Sequence, residues 1–188
     1  MIMSNEVRQD SNDVSGYQAG RDININSSPS RRLSLMGTLV EAFRKEVASD
    51  EKFRDFIDSL DIYLRPAPEQ SLVGLEGKLE AGNRSSDLKM AMALKELFSK
   101  KLARHRLSRA AQEIFAYILG RLDLLFDTEI APLIKVDKSK EEVNLAVRTM
   151  VLEPVFRELE DNVLILNYQE IRGMIYYLTG NCYIKWAP

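Results

Sequence analysis

The sequence predicts a mainly α-helical protein: a helical bundle with a small C-terminal strand–helix–strand element, preceded by a polar N-terminal tail. Three observations carry that prediction. From residue 31 onward, apolar residues recur at helical spacing between capping residues and prolines. Residues 162–186 instead show a short apolar run, a capped helical stretch and an alternating terminus. Residues 1–30 are rich in Ser, Asn, Asp and Gly and too poor in apolar side chains to build a core. The expected division is a tail at 1–30 and a helical domain at 31–188.

Within the tail, Ile23 and Ile25 alternate with Asn24 and Asn26, and Ala19 with Gly20 supplies a turn, so a short hairpin is expected over 14–26. Tyr17, Gln18, Gly20, Ile23 and Ile25 are then candidates for self-association or for adding a strand to a partner's sheet. A solvated tail accounts equally well for the same composition.

The domain's elements follow in order. Leu35, Leu39, Val40 and Phe43 form the stripe of a helix over 32–48. Asp50 caps a second helix, with Phe53, Phe56, Ile57 and Leu60 inward, ending before Pro66. Residues 66–86 weaken to an amphipathic scrap at Leu72, Val73 and Leu79, and 81–86 reads as a linker. A strong helix follows at 87–106, with Leu88, Met92, Leu94, Leu97, Phe98 and Leu102 in one broad apolar sector. Ser108 caps the next, whose inward residues are Ile114, Phe115, Ile118, Leu119, Leu122, Leu125 and Phe126. Ser139 with Glu142 forms a capping box opening a helix to about Leu159, which Pro154 must kink or divide. Residues 163–166 suit a buried strand. Asn167 and Glu170 open a helix with Gly180 just past its end, and Cys182, Ile184 and Trp186 alternate with Tyr183 and Lys185 as a closing strand.

Composition excludes several kinds of partner. There are 26 basic against 28 acidic residues, a net charge of −2, so no global field gathers nucleic acid or an anionic membrane. A single cysteine forms no intramolecular disulfide and fits a reducing, cytoplasmic setting. Residues 1–10 lack the apolar core of a signal peptide, and no apolar run approaches the ~20 residues of a membrane span.

Catalytic chemistry finds little support. No phosphate-cradling glycine loop is present. The lone histidine, His105, has no ligand-spaced partner and reads as a polar residue on a solvated helix face. Cys182 is expected inward, as a small hydrophobe. No catalytic residue, metal ligand or cofactor is assigned. Lys100, Lys101 and Arg104 share a helix face and are the candidate nucleic-acid contacts; they would make this a DNA-contacting accessory subunit, although an ordinary solvated face explains them more simply.

One stretch carries a resemblance. The succession Ile-Phe-Ala-Tyr-Ile-Leu-Gly120, Ala-Pro-Leu-Ile134, Leu-Glu-Pro-Val155 and Glu-Ile-Arg-Gly-Met-Ile-Tyr-Tyr-Leu-Thr-Gly-Asn-Cys-Tyr-Ile-Lys-Trp186 resembles the C-terminal domain of bacterial ABC three-component conflict systems. It is strongest over 114–188, and its most specific part is the tail. The resemblance implies fold-defining roles for Gly173, Gly180 and Trp186, with Tyr183 at a position where family members often carry histidine. It further implies an adaptor in anti-phage or anti-plasmid defence, with protein partners: an SMC-like ABC ATPase, a middle component and an effector chain. A homo-oligomer is a further expectation, and direct binding to nucleic acid or membrane is not.

Overall fold

The computed structural model describes residues 34–49, 57–67, 74–159 and 162–188. They belong to one unit, Leu33–Pro188, and are helical, with no β-strand among them. The expected hairpin at 14–26, with Tyr17, Gln18, Gly20, Ile23 and Ile25, lies outside the described residues, as do Asp50, Phe53 and Phe56.

Helices α1 (Leu35–Ser49) and α2 (Asp58–Leu64) pack on α5 (Arg109–Leu125), burying Met36, Val40 and Leu60. Polar side chains fix both contacts. Glu46 of α1 receives Ser108 Oγ at 3.2 Å and the backbone N–H groups of Arg109 and Ala110, each at 2.8 Å. A carboxylate from one helix thus satisfies free donors at the N-terminus of another, where the helix dipole also favours it. Gln112, fully buried, accepts from the Ile57 N–H at 2.9 Å and donates to the Arg106 carbonyl at 2.8 Å.

The largest helix pair is α4 (Leu88–Arg104) on α9 (Tyr168–Gly180). Gly173 makes it possible, because a Cβ there would clash with the Leu94 carbonyl oxygen. Such close approach leaves a narrow seam. Ala91, Phe98 and Leu102 are buried, whereas Met92 and Leu97 face outward, so the apolar sector of α4 is narrower than its composition predicts.

Residues 81–86 are no linker. Helix α3 (Gly74–Ala81) buries Leu75 and Leu79 against α9, and the chain then turns tightly into a 3₁₀ turn at Ser85–Asp87. Asn83, at φ 54°, occupies the left-handed position that ends α3; its N–H bonds Glu80 O and the Arg84 N–H bonds Leu79 O. Asp137 (φ 54°) ends α6 (Ala131–Lys135) in the same way, and Cys182 (φ 73°) ends α9. Gly180 therefore lies within the last turn of α9, not beyond its end.

Two prolines follow wide turns. Pro132 stands at the start of α6, after the π-turn Phe126–Ile130, and Pro154 at the start of α8 (Glu153–Glu158), after the π-turn Val147–Leu152. The latter joins α7 (Lys140–Ala146) to α8 with helical dihedrals at both junctions, so the expected helix runs on to Glu158 and Pro154 follows a widened turn within it. Widening the preceding turn accommodates a residue that has no N–H and whose ring crowds the carbonyl four residues back. Ser108, the Ser139/Glu142 box and the Asn167/Glu170 box cap α5, α7 and α9 as their residue types require.

Neither expected strand forms. Leu164 and Leu166 are buried around exposed Ile165, and Cys182, Ile184 and Trp186 are buried around Tyr183 and Lys185, so the alternation is real. Positive φ at Ile165 (50°) and Cys182 (73°) breaks the extended path. The backbone groups bond locally instead: Ile165 N–H to Asn162 O at 2.8 Å, and Asn162's side-chain amide to both backbone groups of Leu166 at 2.7 Å. Period-two burial arises here without a ladder.

Candidate functional site

The tail after α9 crosses the molecule like a buckle. Its polar groups, with Thr179 in the last turn of α9, tie it to α2 and back to α9. Thr179, buried, donates to the Ile175 carbonyl and accepts the Trp186 indole N–H at 3.0 Å. Asn181 donates to Tyr63 O at 2.8 Å, and its own carbonyl accepts the Ala67 N–H at 3.0 Å. The Tyr183 hydroxyl donates to the carbonyls of Ile62 and Arg65 while its ring packs on Tyr63 at 5.1 Å. The free C-terminal end of α2 is thereby held by the tail of α9. Burial, followed by Asp123, raises the pKa of the Tyr183 hydroxyl and keeps it a donor.

Trp186 closes the buckle. Phe126 meets its ring edge-on at 4.9 Å, and the Arg84 guanidinium lies 4.2 Å from the ring centroid. Arg84 is itself buried, with Asn144 Oδ1 at 2.7 Å and Asp87 at 3.6 Å; burial lowers its pKa against the opposing pull of Asp87. Asp87 also receives Lys140 at 3.0 Å, joining the turn after α3 to α7. At Gly82, a Cβ would stand 2.5 Å from the Trp186 carbonyl oxygen, so the turn and the tail touch backbone to backbone.

The three motif residues therefore have distinct neighbours. Gly173 sits against the backbone of α4, Trp186 against Arg84, Thr179 and Phe126, and Gly180 beneath the flexible end of Lys95. Sequence reasoning missed Gly82, Arg84 and Thr179. A signal existed for the first two: Gly82-Asn83, three residues after Leu79, is a helix C-terminal pattern, which makes the following residues part of a tight turn.

The basic face of α4 is partly committed. Lys101 lies 3.4 Å from the buried Glu170 and donates to Ile165 O at 3.2 Å, while Lys100 pairs with Glu96 at 2.6 Å. Arg104 is exposed at the helix end. His105 does not lie on a solvated face: its ring packs between Phe43 and Phe115, at 6.2 and 6.0 Å. Burial, then Lys101 and Arg104, pushes its pKa below 6.5. Cys182 is buried, as its position predicts. Among the described residues, no three His, Cys, Asp or Glu side chains come together as a metal-ligand set.

Beside the buckle lies a groove of about 560 Å³ between the π-turn Val147–Leu152, α8 and the first half of α9. Its floor includes Val147, Leu152, Ile175 and one side of Trp186, and Arg148 and Arg172 stand on its rim. Tyr168, half-exposed, stacks on Phe156 at 4.2 Å at one end.

No curated protein and no solved structure matches this chain. A family model does, over residues 74–186, described as C-terminal domain 9 of the ABC-three component (ABC-3C) systems. The matched stretch begins at α3 and ends on Trp186, enclosing the turn, the buckle and the groove. It spans more than half of the chain, which therefore belongs to the family of C-terminal domain 9 of the ABC-3C systems.

Proposed function

We propose that this chain is a non-catalytic adaptor of an ABC three-component defence system, holding an SMC-like ATPase or an effector chain in the assembly. The observation that carries the reading is the family match over 74–186. The buckle supports it: its polar side chains are spent on joining α2, α3, α7 and α9, the pattern of a scaffold. The side chains next to it, exposed Tyr168 and Arg148 and half-buried Arg172 among them, are of types that anchor protein interfaces. Among the described residues, no helix is long and apolar enough to cross a membrane.

The test is co-purification. The tagged chain, co-expressed with the proteins encoded on either side of its gene, is expected to retain an SMC-like ATPase or an effector through size-exclusion chromatography. Elution free of every neighbour would overturn the reading.

A further inference from the structure

We infer that the groove beside Trp186 is the docking site for an acidic, apolar segment of a partner protein; this deepens the adaptor reading and rests on it. The floor is apolar, built by Val147, Leu152, Ile175 and Trp186, and its rim carries Arg148 and Arg172. Charge decides the occupant. Glu153, the carboxylate of the groove, is already shared between Arg148 at 3.4 Å and Arg157 at 3.5 Å. Arg172 has no carboxylate partner among the described residues. Its guanidinium donates to the Tyr176 hydroxyl at 3.1 Å and to the thioether of Met90 at 3.7 Å, and lies 5.7 Å from the Tyr176 ring.

Two rim arginines against one carboxylate, which Arg157 outside the groove also shares, leave the rim short of negative charge. A neutral phenol and a sulfur are weak acceptors for a group that binds carboxylates through two parallel hydrogen bonds. An incoming Glu or Asp meets that need on Arg172, and a neighbouring Leu or Phe covers the floor. The floor also separates a peptide from a nucleic acid: phosphates would take the arginines but leave the apolar side chains without a partner. The π-turn builds this site, since Val147, Arg148 and Leu152 all belong to it.

The protein contains one tryptophan, so its emission reports on the groove. The probe is the peptide Glu-Leu-Phe-Glu-Leu-Glu, titrated into the full chain. A saturable change in Trp186 emission is expected, weakened at least about tenfold when each Glu of the probe is Gln, and similarly in Arg172→Gln and Arg148→Gln. Far-ultraviolet circular dichroism identifies any variant that misfolds, and the glutamine probe tests the charge requirement on the unaltered protein. Absence of a saturable change, equal binding of the two probes, or tighter binding of oligothymidylate would each overturn the inference. Co-expression separates it from the adaptor reading. A partner retained equally by the unaltered chain and by Arg172→Glu leaves the adaptor standing and removes the groove. Should no partner be retained, the adaptor reading fails, and the peptide titration still decides the groove.

Discussion

Gly173 and Gly180 look alike in the sequence, three residues from Tyr176 and Tyr177 on one helix, but their neighbours differ. A Cβ at Gly173 meets the backbone carbonyl of Leu94, which cannot yield without separating α4 from α9; at Gly180 it meets only the tip of Lys95. Gly173→Ala should therefore destabilise by about 1–3 kcal/mol, as overpacking does. Gly180→Ala should leave stability within about 0.5 kcal/mol, since alanine favours the helix. Urea unfolding of the two variants checks this, and equal losses would contradict it. His105 gives a residue-scale pH dependence. Its pKa is lowered by burial first, so the unfolded chain binds this proton more readily than the folded one. Its contribution is fully present above about pH 6.5 and is lost as pH falls towards the folded value. Between about pH 7.5 and about pH 5, the urea midpoint of the unaltered protein should fall further than that of His105→Gln. Parallel curves would show that the ring is not held between Phe43 and Phe115.

At the scale of elements, what was legible in the sequence was local chemistry. Caps at Ser108, Ser139 and Asn167 depend on side chains within three residues of the helix start, and Pro154 acts on its own turn. What escaped was set by distant contacts. Alternating burial around Ile165 and Tyr183 reads as strand from sequence, because the missing partner strand and the positive φ values are invisible there. Arg84 lies in a polar stretch, and it is residues far along the chain, Asn144 and Trp186, that cover it. Glu46 shows the same limit: nothing near it in sequence marks it as the acceptor for the start of α5. Glu46→Ala should leave those donors without their acceptor, costing about 1–2 kcal/mol. The loss should fall on α1, whose amides should exchange faster while those of α4 and α9 are unchanged. Uniform acceleration through all helices would contradict a local clamp.

For the molecule as a whole, the proposed function gives parts of the chain different work. Within 74–186, α4, α5 and α9 supply the core, and the buckle ties the tail to the turn after α3 and to α2. The motif that first marks the chain is thus the part least free to meet a partner, while the groove beside it carries exposed Arg148 and Tyr168 and half-buried Arg172. On the proposed function the chain is a scaffold with an interface on its flank, and the central claim is that these two roles lie on different residues. Hydrogen–deuterium exchange of the chain, alone and within the assembly it co-purifies with, tests it most directly. The expected result is slow exchange at 179–186 in both states, with new protection confined to 147–152 and 168–176 in the assembly. Rapid exchange at 179–186 in the free chain, protected only on assembly, would contradict it and make the tail itself the docking site.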